Sequence, residues 1–176
     1  VEFGLVEITS DDFNSLKPGK YFSLLSHSGS RGLGANIARH FTKLASKNCP
    51  LPKQVQHLAW LDLSTHDGIE YWKAMNLAGD YARACHEDIH RRITKAIGSR
   101  VLCNINNHHN FAWKEEHNGE TLIVHRKGAT PAGKNELGII PGSMTSPGFI
   151  IRGKGNDLSL RSASHGAGRL YSRNVC

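Results

Sequence analysis

The chain has no pair of cysteines at C-x-x-C spacing. Its four cysteines, Cys49, Cys85, Cys103 and Cys176, stand far apart, which argues against a zinc ribbon and supplies no disulfide framework of the small secreted kind. A reduced, cytoplasmic setting is the expectation. No apolar run is long enough to span a bilayer and no stretch has the pattern of a signal peptide, so no membrane partner is expected. Internal repeats and low-complexity tracts are absent. A glycine loop exists, but the Lys-Ser/Thr ending of a Walker A loop is missing, and so is the G-x-G-x-x-G dinucleotide spacing. Acidic residues are outnumbered, 15 Asp+Glu against 22 Lys+Arg, for a formal net charge of +7. That surplus favours anionic partners such as phosphates and nucleic acid.

What is present suits one folded unit. With 176 residues, 39% of them hydrophobic, the chain has enough material for a single domain with a real core. It opens on Val1 without a methionine and stops at "SRNVC", as a segment cut at both ends from a longer protein would. The run "KYFSLLSH" (20–27) reads as a buried strand, followed by the glycine-rich "HSGSRGLG" (27–34). Ile37, Phe41, Leu44 and Ala45 then recur at helical spacing. Pro50 and Pro52 mark 49–66 as a connection. Between Gly68 and Ile97 the positions Trp72, Met75, Ala82, Ile89, Ile93 and Ile97 predict one long helix, or two broken near Gly79, with a charged, solvated face of Lys73, Asp80, Arg83, Glu87, Arg91 and Arg92. "RVLCNI" (100–105) reads as a strand. Residues 111–128 read as a hairpin, turned by Asn118 and Gly119, residues that tolerate positive φ. Beyond Gly128 glycines are too frequent for long helices, so strands joined by loops are expected. The fold class is α+β: a strand core carrying the site loops, with helices around it and the long helix outside.

Several pieces carry chemistry. In "HSGSRGLG", backbone N–H groups, a following helix N-terminus and the Arg31 fork together make a phosphate cradle, a flexible loop being the plainer reading. His27 ends the strand and is either a metal ligand or a core histidine. His108 and His109 in "NINNHHNFAW" stand where a strand gives way to a hairpin, and either could bind a borderline metal ion. "VHRKGATPA" sets His125, Arg126 and Lys127 against Gly128 as a polyphosphate contact, or as a charged strand end. "GIIPGSM" places Ser143 on a Pro-Gly turn. In "SASHGAGRLYSR", small residues flank His165, with Arg169 and Arg173 one helical turn apart beyond it. An open imidazole beside arginines suits a nucleophile toward phosphorus.

Taken in order, "LSHSGSRGLG", "NNHHNFAWKE", "VHRKGAT", "GIIPGSM", "FIIRGKGN" and "SHGAGRLYSR" closely resemble the RtcB-type RNA ligases, over nearly the whole chain. The resemblance implies a ligase that uses GTP and manganese to join an RNA 3′-phosphate or 2′,3′-cyclic phosphate end to a 5′-hydroxyl end. Its implied nucleophile, guanylylated during the reaction, is His165. His27 and His109 inherit metal-ligand roles, which selects His109 over His108. Asn110, Lys127, Ser143 and the backbone of Ala167 and Gly168 fall at the nucleotide. Arg31 and Arg169 fall at phosphate or RNA. Glu2, standing as if directly after the family's "NHF" motif, becomes the carboxylate that reads guanine. The implied partners are RNA, as tRNA halves or broken strands, and archease as an optional activator; oligomeric state is open.

The sequence departs from the family at Thr145, where glycine is usual, and at Gly148, where a serine usually contacts the base. The family's upstream aspartate and cysteine metal ligands have no counterpart here, nor do the C-terminal lysine and tyrosine that hold guanine. Two further readings therefore stand beside the ligase. One is a catalytically incomplete segment that binds RNA or assembles with the rest of the enzyme. The other is a metal-dependent phosphoesterase working through metal-bound water.

Overall fold

The computed structural model describes residues 1–10, 13–142 and 146–166. The chain divides into two compact units, Val1–Leu102 and Cys103–Cys176. Helices and antiparallel strand pairs share the structure, as an α+β chain requires.

In the first unit, β1 (Glu2–Ile8) and β2 (Gly19–Leu25) pair antiparallel, with Glu2 opposite Leu25 and Ile8 opposite Gly19. A two-stranded sheet can shield little of its own surface. The run expected to be a buried strand is accordingly half-buried, and Phe22 lies exposed, stacked on Phe3 with ring centroids 5.4 Å apart.

The first helix, α1 (Leu33–Asn48), follows the glycine loop. Its expected apolar stripe is the face that packs: Phe41 and Ala45 are buried, and the Phe41 ring meets Tyr71 of the next helix at 5.2 Å. That helix, α2 (His66–Ala96), runs unbroken through Gly79. One glycine costs about 1 kcal/mol relative to alanine in a helix interior, which the packing of thirty-one residues overrides. Thr65 caps its start by accepting from the Gly68 N–H at 3.2 Å. Gly68 is required for space: a Cβ there would lie 1.9 Å from the Asp62 carbonyl oxygen. The face expected to be solvated is exposed and carries ion pairs, Asp80–Arg83 at 2.9 Å and Asp88–Arg92 at 2.6 Å, with Arg91 also on Asp88. The helix ends over Gly98, whose φ of +64° lets its N–H reach the Lys95 carbonyl.

Residues 100–105, expected as a strand, form none. Val101 and Leu102 are each 55% exposed. No described strand pairs with the segment, and an extended run without a partner edge has nowhere to place its backbone hydrogen bonds but water.

The second unit begins with the expected hairpin, β3 (Asn110–His117) against β4 (Glu120–Lys127). Asn118 and Gly119, at φ +51° and +82°, make the two-residue turn. Alternation divides its faces: Val124, Arg126 and His117 are buried, whereas Asn110, Lys114, His125 and Lys127 are exposed. Beyond the hairpin the glycine-rich region forms short antiparallel pairs, β5 (Ala129–Pro131) with β8 (Ser162–Ser164) and β6 (Leu137–Ile140) with β7 (Phe149–Arg152). Close backbone approach explains one glycine in particular. A Cβ on Gly153 would lie 2.1 Å from the Gly133 carbonyl oxygen.

Candidate active site

In the second unit, candidate residues gather at the open end of the β3–β4 hairpin. Asn110 pairs with Lys127 across the ladder. Gly128 follows in the left-handed region, at φ +65°, and its backbone links two further segments. Its N–H donates to the His109 carbonyl at 2.8 Å, and its carbonyl accepts from the His165 N–H at 3.0 Å. With their backbones tied to the two sides of one residue, the His109 and His165 rings stack at 4.0 Å between centroids and 17° between planes. Both are half-buried. Stacking restrains each ring plane while ring nitrogens project from the edges, an arrangement suited to presenting an imidazole nitrogen to a reacting group.

His108 has a different environment. Its ring stacks on Phe111 at 5.3 Å, Phe111 meets Trp113 edge-on, and the Arg126 guanidinium lies 4.9 Å from the Trp113 ring centroid. The preceding segment is pinned by Asn107, which donates to the fully buried Thr130 hydroxyl at 2.7 Å.

Arg126, expected among the polyphosphate contacts, is instead 3% exposed and committed internally. It grips the Glu115 carboxylate through both terminal nitrogens, at 2.5 and 2.9 Å, and donates to the Ser162 hydroxyl at 2.7 Å and the Leu160 carbonyl at 2.8 Å. The arginine thus ties the hairpin to β8, three residues before His165. The His117 Nε2 also donates to Glu115, at 2.9 Å. Arg126 holds the Glu115 carboxyl below the usual carboxylate range, against the opposing effect of burial and with His117 adding to the lowering. The Lys127 ammonium and the His125 imidazole are exposed on this strand.

In the first unit, His27 lies two residues past β2 and is exposed. Its neighbours are held by α2. Ser26 Oγ shares a hydrogen bond with His90 Nε2 at 2.8 Å. His86 Nε2 lies 2.8 Å from Ser28 Oγ and 3.1 Å from the Ser28 carbonyl oxygen. Burial pushes the His90 imidazole down from its ordinary value, and the charge of His86 adds to this. Glu2, opposite Leu25 in the ladder, stands at the same end of the β1–β2 pair.

The phosphate-cradle geometry is formed only in part. Arg31 and Gly32 both have positive φ, +52° and +97°, and Arg31 is exposed. Two of the first amides of α1 are already satisfied, because Leu33 N–H donates to the Ser30 carbonyl at 3.0 Å and Gly34 N–H to the Ser30 hydroxyl at 2.8 Å. Ser143, Ala167, Gly168 and Arg169 lie outside the described residues. Among the described residues no group of three or more His, Cys, Asp or Glu side chains is placed to hold a metal ion. No helix among them is long and apolar enough to cross a membrane.

The family model described as tRNA-splicing ligase RtcB matches residues 3–176. The chain belongs to the RtcB family. It is 38% identical over 166 residues to the RNA-splicing ligase RtcB of Escherichia coli K12, covering 85% of this chain and 40% of that protein. It is 33% identical to the tRNA-splicing ligase RtcB of Nanoarchaeum equitans (86% and 38% covered) and 28% identical to that of Thermococcus kodakarensis (85% and 38%). The chain therefore spans about two-fifths of the length of these RtcB relatives.

Sequence reasoning passed over Ser26, Ser28, His86, His90, Asn107 and Glu115. The four-residue spacing of His86 and His90 on a long helix was the signal for two of them. The others are ordinary polar residues whose roles come from their partners.

Proposed function

We propose that this chain supplies catalytic residues to a GTP-dependent RNA ligase of tRNA splicing or RNA repair. The observation that carries the reading is the His109–His165 stack, joined through the backbone of Gly128 and next to Asn110 and Lys127. Membership of a family whose relatives are named RNA-splicing or tRNA-splicing ligases supports it.

A ring nitrogen of His165 attacks the α-phosphorus of GTP. A nitrogen–phosphorus bond forms, the bond to the bridging oxygen of the β-phosphate breaks, and pyrophosphate leaves. The guanylyl group then passes to an RNA 3′-phosphate, derived from a 2′,3′-cyclic end, and His165 is freed. A 5′-hydroxyl attacks the activated phosphate, its proton is lost, GMP departs and the strand is sealed. Asn110, Lys127 and Glu2 contact the nucleotide, as do Ser143, Ala167 and Gly168. Arg31 and Arg169 contact phosphate or RNA. The setting is cytoplasmic, with archease as an optional activator.

Manganese is the proposed metal. His27 and His109 would each offer an imidazole donor of a suitable chemical type, so the fit is one of donor type. When bound, the ion supplies positive charge against the phosphate oxygens.

The test is incubation with α-labelled GTP and manganese, then denaturing electrophoresis and peptide mapping. Label on His165 is the expected result. Label only on a longer chain carrying the rest of an RtcB protein supports the incomplete-segment reading, which the chain's span of about two-fifths of its relatives' length favours as the alternative. Phosphate release with no adduct on either chain overturns the ligase reading and points to a phosphoesterase.

A further inference from the structure

We infer that His86 and His90 are positioning residues that set the direction of the His27 imidazole. The inference rests on the reading of His27 as a metal donor only for its consequence; the clamp itself is visible in the geometry.

Ala78, Ala82, His86 and His90 recur at four-residue spacing along α2. Ala78 and Ala82 are each 7% exposed, and a Cβ on Gly34 would lie 3.8 Å from that of Ala78. The upper part of the stripe is thus small and apolar where α1 begins. One and two turns further along, imidazoles replace the alanines and reach Ser28 and Ser26. Ser26 and Ser28 are thereby both anchored to α2, and His27, the residue between them, is the exposed one of the three.

The Ser28 contact also specifies a tautomer. A carbonyl oxygen only accepts, so the His86 Nε2 bears a hydrogen and donates to it. Partners of this kind, one step removed from a ligand, typically alter metal affinity about 10–100-fold when removed. In this role neither histidine would itself be a metal donor; each would act through the serine it holds.

Ring-nitrogen NMR of histidine-labelled protein, with manganese binding measured in parallel by EPR of the free ion, separates the clamp from its consequence. The expected result is that His86→Ala with His90→Ala moves and broadens the His27 ring signals. His86→Gln with His90→Gln, which keeps a hydrogen-bonding group near the Nε2 position, restores them. Ser26→Ala with Ser28→Ala removes the two hydroxyl contacts from the loop side, leaving only that of His86 to the Ser28 carbonyl, and is expected to move the same signals in the same direction should the helix variant fail to fold. Unchanged His27 signals in a folded serine variant overturn the inference. In the manganese arm, a His27→Ala variant that binds like the parent defeats the metal-donor reading and leaves the clamp to be judged by NMR alone. If His27→Ala weakens binding, the folded clamp variants are expected to weaken it about tenfold or more, and parental affinity in them overturns the positioning role.

Discussion

Gly128 shows how much one residue can decide. Nothing lies within 4 Å of where its Cβ would be, so the demand for glycine is conformational. At φ +65° an L side chain is strained by roughly 1–2 kcal/mol. Gly128→Ala is therefore expected to lower the urea midpoint by a corresponding amount. It should also disturb the His109–His165 stack, because both histidine backbones are bonded to this residue. Adduct formation with labelled GTP reports the second effect: a stable variant with full adduct yield would show that the pivot is not needed. His165→Ala is expected to abolish the adduct altogether, and retained label would remove His165 as nucleophile. His109→Ala, which leaves the nucleophile present but unstacked, is expected to slow adduct formation and raise the manganese concentration it requires.

The β3–β4 hairpin is organised at the next scale by one buried guanidinium. Arg126→Met leaves the Glu115 carboxylate with only His117 beside it. Removing one partner of a buried pair costs about 3–5 kcal/mol, and the lower end applies because the Glu115 side chain keeps 22% of its surface exposed. Glu115→Gln combined with Arg126→Met should recover part of that loss, and a double-mutant cycle in urea measures how much. The same pair predicts a pH dependence. The folded-state carboxyl titrates below its unfolded value, ordinarily near 4.5. Its stabilisation is thus present above the unfolded value and is lost as pH falls through the folded one. Urea midpoints taken from about pH 6 down to about pH 3 should fall in the parent, and this component should vanish in Glu115→Gln. In α2 the demand is steric: Gly68→Ala sets a Cβ against the Asp62 carbonyl at the helix start, so a lower melting temperature is expected.

Over the whole chain, the charge of +7 predicts salt-sensitive RNA binding. Each phosphate neutralised contributes a slope of about −0.7 in log K against log salt for single strands. Lys127→Ala should weaken binding and reduce that slope by about the same amount, because Lys127 lies exposed on β4. An unchanged slope would take Lys127 off the RNA. Arg126→Met is not expected to change the slope, since that guanidinium is already occupied within the fold.

The sequence by itself determined whatever depends on neighbours in the chain. The amphipathic repeats of α1 and α2, the Asn118–Gly119 turn and the strand-and-loop character beyond Gly128 were legible because propensity and periodicity are local properties. The family was legible too, through six ordered motifs. Only the tertiary structure decided which polar groups meet. Residues 100–105 had the composition of a strand but found no partner edge among the described strands. Arg126 and Lys127, adjacent in sequence, point to opposite faces of β4, one buried on Glu115 and one exposed. Ser26 and Ser28 took their role from His90 and His86, 64 and 58 residues away. Long-range hydrogen bonds depend on where a fold returns the chain, and that return leaves no periodic trace in the residues it joins.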